Sequence, residues 1–573
     1  MKINGIAASE GIGAGSVIIV TAAPKEIVNR EPENKEAEIA RFTEAADGFS
    51  EDTERMAAEL EKAASAKEAD ILRSHILMAR DPFVVSQITD EISQGSCAEA
   101  AVEKVFTSVM EMFRATGDPL TMERAADAGD IKNRLIMKLQ GIGNIDPADV
   151  PAGTVIVTEE LTPSMTVGIT GDNISGIVTA KGGYTSHSAI LSRALEIPAV
   201  LSAENILTSV RTGDEVIVDG SGGVVIVSPS RAERAEYKKK AAEFTEMKEQ
   251  LRAYRGRPTV SADGEPKVIA ANIGSPEDGV IAKQDDAEGI GLLRTEFLYM
   301  NRVSAPLEEE QFDVYKKVAK TFGDKPVIIR TLDIGGDKDV PYLNLPKEDN
   351  PFIGCRAIRF CLRNPDLFRT QLRALLRAGA YGNVRIMLPM ITTPEEVHET
   401  RKLLDQCVQE LTREGKEFNP NVPLGIMIET PAAVIIADRL AEDVDFFSIG
   451  TNDLTGYTMC ADRGNNLVSY LYSVYNPAVL TSIKRVCDHA RQAGIPVGMC
   501  GEAAAEPALI PVLLAFGLDE FSVSHEKILR TRRNISLWKK EEAERVAEHA
   551  LSLDKASEIR EYLNEQVKNK NSR

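Results

Sequence analysis

Short apolar runs alternate with longer amphipathic stretches through the second half of the chain. After Pro258, each run is bounded by glycine, proline or polar residues, as is typical of buried parallel strands. The runs are VIAANIG (268–274), GIGLLRTEFL (289–298), VIIRTLDIGG (327–336), VRIMLPMI (384–391), LGIMIET (424–430), DFFSIGTND (445–453), PVGMCGE (496–502) and EFSVS (520–524). Eight such runs interleaved with helical stretches over about 260 residues predict a (β/α)₈ barrel rather than an open doubly wound sheet.

The first half of the chain has a different pattern. Residues 3–20 alternate glycine with small and β-branched residues, which predicts a strand, a turn and a second strand. From Glu36 to Arg114 helix breakers are few, so consecutive amphipathic helices in a bundle are predicted, connected at Asp81-Pro82 and Gly117-Asp118-Pro119. After Pro151 the β-branched runs return. The helical block is therefore predicted to be an insertion in a β/α domain.

These patterns predict a multidomain α/β protein. The predicted parts are a β/α domain at 1–21 and 146–230, an inserted helical domain at 22–145, a linker helix at 231–258 and the barrel at 259–573. A chain of 573 residues is several times the usual length of one domain, which agrees with such a division.

Composition and charge exclude several classes of function. The 87 acidic and 67 basic residues give a net charge of −20, which repels phosphate backbones and anionic lipid. No apolar run approaches the length of a membrane span, and Glu10 interrupts the apolar stretch that a signal peptide needs. The seven cysteines contain no C-x-x-C pair and suit a reducing compartment. We expect a soluble cytoplasmic protein without nucleic-acid partners or membrane insertion.

His187 is the candidate nucleophile. It follows Lys181-Gly182-Gly183 and Thr185-Ser186, where a strand runs through a tight turn into a helix. A neutral imidazole near a helix amino terminus can take a phosphoryl group, which the free backbone amides would favour. A surface histidine that helps to cap a helix fits the same pattern. An ATP site is not predicted, because Gly11-Ile12-Gly13-Ala14-Gly15 does not complete G-x-G-x-x-G and the chain has no G-x-x-x-x-G-K-[ST] motif.

Four arginines predict a binding site for a small polyanion. Arg294 and Arg330 fall at the carboxyl ends of predicted strands, where barrel active sites are built. Arg356 and Arg463 follow in the connecting segments. Guanidinium groups are planar and permanently charged, so together they suit a phosphate and a carboxylate. Taken one at a time, these arginines fit salt bridges on a barrel rim better than a site, and only the set indicates function.

Two acids and a thiol lie at other strand ends. Glu429 and Asp453 are hard oxygen ligands on successive strands, which suits Mg²⁺ shared with a substrate phosphate. Cys500 is flanked by glycine at a strand end and could donate a proton, although a cysteine there is more often a core residue.

Long motifs in a consistent order resemble enzyme I of the bacterial phosphoenolpyruvate-dependent sugar phosphotransferase system, over essentially the whole chain. They are GGYTSHSAILSRALEIPA (182–199), EGIGLLRTEFLYMNR (288–302), IIRTLDIGGDK (328–338), NPFIGCRAIR (350–359), GIMIETPAA (425–433), DFFSIGTNDLTGYTMCADRGN (445–465) and GMCGE (498–502). In that family a histidine at the position of His187 takes the phosphoryl group of phosphoenolpyruvate, releases pyruvate and phosphorylates a histidine of the phosphocarrier protein HPr.

The resemblance implies a role for each domain and site residue. It implies a swivelling β/α phosphohistidine domain, an inserted helical domain that binds HPr, and a barrel that binds phosphoenolpyruvate and dimerises, in the first step of sugar uptake. It also implies substrate contacts at Arg294, Arg330, Arg356, Asn452, Asp453 and Arg463, Mg²⁺ at Glu429 and Asp453, protonation of the enolate by Cys500, and a hydrogen bond from Thr166 to the histidine. Tyr184, Cys355 and Gly456 depart from the family pattern without removing a catalytic group.

Other classes fit parts of the sequence. A pyruvate phosphate dikinase or phosphoenolpyruvate synthase shares the histidine domain and the barrel. Such an enzyme also needs a nucleotide-grasping domain, and this chain has an acidic helical insert in its place. A regulatory docking protein without turnover should have lost a member of the charged set. A stand-alone barrel lyase acting on 2-oxo acids leaves His187 and the helical block without a role.

Overall fold

The chain forms two compact units, Met1–Lys248 and Glu249–Arg573. The computed structural model describes residues 1–571 except 21–26, 28, 63–65, 116–118, 143–149, 162–164, 166–168, 171, 184–186, 301, 336–339, 344, 346–347, 463–464 and 466. Within the described residues, no helix is long and apolar enough to cross a membrane.

The first unit is built on a mixed sheet. Its strands are β1 (Lys2–Asn4), β2 (Ile6–Ser9), β3 (Ile12–Ile19), β4 (Thr154–Thr158), β5 (Ile174–Thr179), β6 (Ala199–Leu201), β7 (Glu215–Asp219) and β8 (Val224–Val227). Over the described part of the chain their order is β1-β8-β7-β3-β4-β5-β6-β2, with β3 to β6 parallel. Val155, Val178 and Val218 are fully buried in a core on the sheet. Two helices follow the parallel strands: α6 (His187–Ala194) after β5 and α7 (Ile206–Ser209) after β6.

The start of the chain differs from the predicted strand, turn and strand, because it forms three strands. β1 pairs with β8 at one edge of the sheet and β2 pairs with β6 at the other, so the chain crosses the sheet within a few residues. At the crossing, a Cβ on Gly5 would lie 2.5 Å from the carbonyl oxygen of Leu201. In β3, a Cβ on Gly13 would lie 1.7 Å from the carbonyl oxygen of Ser175. These glycines therefore permit close backbone packing.

A helical block separates β3 from β4. Its helices are α1 (Lys35–Lys62), α2 (Ala66–Ala79), α3 (Pro82–Ser93), α4 (Ala98–Ala115) and α5 (Pro119–Leu139). They share a buried core that includes Phe42, Ile88, Phe106 and Leu135. The predicted connection at Asp81-Pro82 is confirmed: the Asp81 carboxylate caps α3 by accepting a hydrogen bond from Phe83 N at 2.9 Å.

One long helix, α8 (Arg231–Arg252), contains the boundary between the two units. The predicted linker helix extends to 258, but the structure has turns after Arg252. The domain limits given above stay predictions.

The second unit is a closed barrel of parallel strands. They are β9 (Val268–Ile273), β10 (Ile290–Leu293), β11 (Val327–Arg330), β12 (Val384–Leu388), β13 (Leu424–Ile428), β14 (Phe447–Ile449), β15 (Val497–Met499) and β16 (Glu520–Val523). Each strand pairs with the next, and β16 closes on β9. Every strand lies inside one of the eight predicted runs, so the predicted (β/α)₈ fold is confirmed.

Helices cover the outside of the barrel. They are α9 (Pro276–Gln284), α10 (Glu308–Phe322), α11 (Ile358–Arg363), α12 (Pro365–Ala378), α13 (Pro394–Glu414), α14 (Pro431–Ile435), α15 (Ala437–Asp443), α16 (Thr451–Met459), α17 (Pro477–Ala493), α18 (Ile510–Phe516), α19 (Ile528–Ser536), α20 (Lys540–Leu551) and α21 (Ala556–Asn571).

Strand residues alternate between the helices and the barrel interior. Ile329 and Ile386 pack among helix side chains in the large outer core. Ile328, Met387 and Cys500 belong to a separate small cluster, which lies inside the barrel. The period of two along each strand therefore decides which residues can reach a site inside the barrel.

Candidate active site

Most of the predicted site residues lie at the carboxyl ends of the barrel strands. Arg294 directly follows β10, Arg330 ends β11, Glu429 follows β13, Asn452 and Asp453 lie in the first turn of α16 just after β14, and Cys500 follows β15. Arg356 lies between β11 and α11. Parallel strands of a barrel all end on the same face, which brings residues together that are distant in sequence.

One buried carboxylate joins two of the arginines. Asp333 is 2% exposed and lies 3.1 Å from Nη1 of Arg330. It also accepts hydrogen bonds from Nε and Nη2 of Arg356 at 2.9 to 3.1 Å. Arg330 donates a further bond to Glu296 at 2.6 Å. Both guanidinium planes are therefore held in fixed orientations before any ligand binds.

The acids in this cluster keep the arginines charged. Burial opposes the charge of Arg330, but the carboxylates of Glu296 and Asp333 outweigh it and raise the pKa of the guanidinium. Burial likewise opposes the charge of Arg356, and Asp333 again reverses the effect and raises its pKa. Both guanidinium groups therefore stay protonated in a largely buried setting, where their interaction with an anion is stronger than in water.

Arg356 also reaches the next part of the site. Its Nη2 lies 3.3 Å from Oδ2 of Asp453, and its Nη1 donates to the hydroxyl of Tyr457 at 3.1 Å. That hydroxyl donates in turn to the carbonyl oxygen of Phe352 at 2.5 Å. Arg356 therefore links the segment before α11 to helix α16.

Glu429 is enclosed by backbone on two sides. It is 2% exposed, and its Oε1 accepts a hydrogen bond from Met390 N at 2.7 Å. Met390 has a φ of 60°, a left-handed conformation that is strained for a residue other than glycine. On the other side, a Cβ on Gly450 would lie 2.9 Å from Oε2 of Glu429. Burial, followed by the charges of Asp453 and Asp333, raises the pKa of the Glu429 carboxyl to about 8.

The chemistry of these two acids fits a divalent cation. Glu429 and Asp453 are oxygen donors, and the charge of Asp453 disfavours ionisation of Glu429, an effect that a cation between them would offset. Among the residues that the structure describes, no group of three or more His, Cys, Asp or Glu side chains could hold a metal ion. Two carboxylates leave the other positions of such an ion to substrate oxygens and water.

The side chains of Arg294 and Asn452 are not held by Asp333 as those of Arg330 and Arg356 are. Arg294 is exposed, and its side chain makes no hydrogen bond or ion pair with any described residue. Asn452 faces Glu502: its Oδ1 accepts from Glu502 N at 3.3 Å and its Nδ2 donates to Oε1 of Glu502 at 3.4 Å. Of Arg294, Arg330 and Arg356, the site arginines that the structure describes, Arg294 is therefore the most available to a ligand.

Cys500 is buried at the inner side of the cluster. It is 5% exposed, and its amide donates to the carbonyl oxygen of Ile449 at 3.1 Å. Burial raises the pKa of the Cys500 thiol to about 11, against the opposing effect of the neighbouring Ser448 hydroxyl. A thiol with such a pKa carries its proton at neutral pH, which suits a proton donor.

The remaining predicted site residues are placed only in part. His187 is the first residue of α6, as predicted, and it belongs to the first unit, but its side chain lies outside the described part of the structure. Arg463 and Thr166 lie outside the described residues. The roles of all these residues stay predictions.

Sequence reasoning did not find Glu296, Asp333 and Tyr457. Asp333 follows Arg330 by three residues in the RTLD motif, and Glu296 follows Arg294 by two in RTEF. That proximity to charged residues at strand ends was the available signal. Tyr457 carried no such signal, because its partners Arg356 and Phe352 are distant in sequence.

Comparisons with known proteins agree with this architecture. Family models match with the descriptions "PEP-utilising enzyme, N-terminal" over residues 4–124, "PEP-utilising enzyme, mobile domain" over 150–223 and "PEP-utilising enzyme, PEP-binding domain" over 248–539. The last match spans the barrel and its cluster of arginines and acids, so the fold and the site define an enzyme class that uses phosphoenolpyruvate. This class is metal-dependent.

Full-length relatives narrow the class. Three relatives are named phosphoenolpyruvate-protein phosphotransferase. The one from Bacillus sp. (strain S) is 45% identical over 97% of this chain and 96% of its own length, and the one from Priestia megaterium is 43% identical over 98% of each. The one from Bacillus subtilis (strain 168) is 42% identical over 99% of this chain and 100% of its own length. A solution structure of Enzyme I is 32% identical over 42% of this chain and 99% of its own, with a TM-score of 0.38. The chain belongs to the family of phosphoenolpyruvate-protein phosphotransferases. It is a phosphotransferase, and the resemblance drawn from its motifs is confirmed.

Proposed function

We propose that this chain transfers the phosphoryl group of phosphoenolpyruvate to His187 and then to a histidine of HPr, releasing pyruvate, as the first step of sugar uptake by the phosphotransferase system. The observation that carries the proposal is the cluster at the barrel mouth. Two arginines locked on Asp333 stand beside a carboxylate pair and a protonated thiol. These are the groups needed to bind a phosphate and a carboxylate and to protonate an enolate.

The arginines bind and orient the substrate. Arg330 and Arg356 offer fixed guanidinium planes, and exposed Arg294 closes on the ligand from β10. Asn452, Asp453 and Arg463 complete the substrate contacts. Because Asp333 and Glu296 hold Arg330 and Arg356 in place before the substrate binds, little conformational entropy is lost on binding. More of the binding free energy is therefore available to stabilise the transition state.

Glu429 and Asp453 would hold Mg²⁺ at this site. The ion would neutralise charge on the phosphoryl group and on the enolate oxygen. Its ligands are preorganised: the amide of Met390 orients Glu429, and Arg356 orients Asp453.

His187 attacks the phosphorus in line with the bond to the enolate oxygen. The N–P bond forms as the P–O bond breaks, and the imidazole must be neutral to act as the nucleophile. Carbon 3 of the enolate then takes the proton of the Cys500 thiol, which gives pyruvate. A hydrogen bond from Thr166 would hold His187 when it is not reacting.

The partners follow from the same scheme. HPr binds the inserted helical domain and takes the phosphoryl group from His187, in the cytoplasm. Two copies of the chain pair through the barrel domain.

Labelling with ³²P-phosphoenolpyruvate tests donor, nucleophile and acceptor in one experiment. With Mg²⁺, the wild-type chain should take up label and pass it to added HPr, whereas His187→Ala should take up none. Label retained by His187→Ala would exclude that residue as the nucleophile. A chain that binds HPr but is never labelled would be a regulatory docking protein, and pyruvate phosphorylation that needs ATP would indicate a dikinase.

A further inference from the structure

A buried carboxylic acid lies inside the barrel, closer to the amino ends of the strands than the candidate active site. Glu520 is the first residue of β16, at the amino end of the strand, and it is 9% exposed. A Cβ on Gly498 of β15 would lie 3.2 Å from its Oε1, and a Cβ on Gly291 of β10 would lie 2.5 Å from the same atom. β15 and β10 lie on opposite sides of β16 in the closed barrel, so the carboxyl group occupies the interior.

This carboxyl group has unused hydrogen-bonding capacity. Oε1 of Glu520 is buried and has no hydrogen-bond partner among the described residues. Nε of Arg385, on β12, is also buried without such a partner. Burial raises the pKa of the Glu520 carboxyl to about 7, with Arg385 opposing the rise and exposed Asp519 adding to it. A buried polar group left unpaired is costly, so its retention calls for an explanation.

Strand register places Glu520 on a path to Cys500. Gly498 pairs with Glu520 on one side and with Ser448 of β14 on the other. Because Gly498 has no side chain, the space between Ser448 and Glu520 stays open. Cys500 directly follows β15, two residues beyond Gly498, and its side chain belongs to the cluster inside the barrel. The Ser448 hydroxyl lies beside the Cys500 thiol and influences its pKa, without a geometrically complete hydrogen bond in this conformation.

We propose that Glu520 and Ser448 form a proton relay through the barrel interior that reprotonates Cys500 from the amino end of the barrel. The inference rests on the proposed function, in which Cys500 protonates the enolate. That step leaves a thiolate, which must regain a proton before the next turnover. The thiolate takes the proton of the Ser448 hydroxyl. Ser448 is reprotonated from the Glu520 carboxyl through a water in the space beside Gly498, because neither Oγ of Ser448 nor Oε1 of Glu520 has a hydrogen-bond partner among the described residues. The Glu520 carboxylate then takes a proton from bulk water.

Two features favour this route over the barrel mouth. Cys500 is only 5% exposed even without substrate, and substrate binding at the mouth would cover it further. Glu520 adjoins exposed Asp519, so bulk water lies one residue away at the amino end. The carboxyl group can hold or release its proton near neutral pH, as a relay requires.

The test compares carbon exchange with hydrogen exchange in one reaction. Enzyme, Mg²⁺, phosphoenolpyruvate and ¹⁴C-pyruvate are mixed in D₂O. Transfer of ¹⁴C into phosphoenolpyruvate measures the reversible chemistry, in which one thiol proton can shuttle back and forth. Deuterium in the pyruvate methyl group, followed by NMR, measures how often that thiol proton is replaced from solvent.

We expect Glu520→Gln to lower the ratio of deuterium entry to carbon exchange by on the order of tenfold or more. Ser448→Ala should lower the same ratio, and this variant tests the relay if Glu520→Gln fails to fold. Glu265→Gln is the matched control: it removes an acid near the amino end of β9 that pairs with Lys267 outside the relay, and it should leave the ratio as in wild type.

A merely structural role for Glu520 would slow both exchanges together, so an unchanged ratio in the variants overturns the relay. If the wild-type chain shows no carbon exchange at all, the proposed phosphotransfer has failed instead. The two failures are therefore distinguishable in the same measurement.

Discussion

Arg356 contacts Asp333, Asp453 and Tyr457 at once. Lysine has neither the planar fork nor the reach to keep these contacts. We expect Arg356→Lys to lower kcat/KM for phosphoenolpyruvate on the order of thirtyfold, about 2 kcal/mol. Tyr457→Phe leaves the guanidinium group in place and removes only the hydroxyl, with its bonds to Arg356 and to the carbonyl oxygen of Phe352, and should cost about 1 kcal/mol. Steady-state phosphorylation of HPr measures both, and equal effects would contradict the ranking.

Gly450, beside Glu429, and Gly456, inside α16, should respond in opposite ways to substitution by alanine. At Gly450, a Cβ would lie 2.9 Å from Oε2 of Glu429 and 3.0 Å from Sδ of Met427, so Gly450→Ala should displace the carboxylate and destabilise the barrel by about 1–3 kcal/mol. At Gly456, inside α16, the nearest atom would be 3.4 Å away, so Gly456→Ala should stabilise by about 0.5–1 kcal/mol. Thermal unfolding measures the stability of both variants, and the Mg²⁺ concentration needed for labelling by ³²P-phosphoenolpyruvate measures whether the Glu429 carboxylate has moved. A Gly450→Ala chain with wild-type values for both would show that the backbone moves aside freely.

At the scale of single elements, the barrel strands were predictable and the first strands were not. Strands buried on both faces are continuous apolar runs, such as Leu424–Ile428, and their period fixes which residues face inward. The split of β1 from β2 depends instead on pairing with β8 and β6, from far along the chain. The site divides in the same way: residues at strand ends could be found by position, whereas Asp333 and Tyr457 gain their roles only through tertiary contacts.

Helix α3 offers a local test of an element. The Asp81 side chain accepts hydrogen bonds from Phe83 N at 2.9 Å and Val84 N at 3.3 Å, which satisfies amides that the helix itself cannot pair. Asp81→Ala should cost about 1 kcal/mol of helix stability, and Asp81→Asn, which retains an acceptor, much less. Hydrogen exchange of the 82–93 segment by mass spectrometry measures the effect. Equal protection in both variants would mean that packing alone holds the helix start.

The whole molecule divides the proposed reaction between two units with separate cores. The first unit contains His187 and cores on its sheet and in its helical block, whereas the arginines, the carboxylate pair and Cys500 belong to the second. A fragment of residues 1–252 keeps α8 whole and retains every core of the first unit, so it should fold cooperatively. It lacks every residue proposed to bind phosphoenolpyruvate. We therefore expect no labelling of the fragment by ³²P-phosphoenolpyruvate, but labelling at His187 by phosphorylated HPr.

Circular dichroism during heating tests the folding of this fragment, and autoradiography tests the label. The same fragment with His187→Ala controls for phosphorylation elsewhere and should take up no label from either donor. Labelling of the fragment by phosphoenolpyruvate itself would place the substrate site in the first unit, because no residue of the barrel would then be required. A fragment that melts cooperatively yet stays unlabelled by phosphorylated HPr would instead show that acceptance of the phosphoryl group also depends on the barrel.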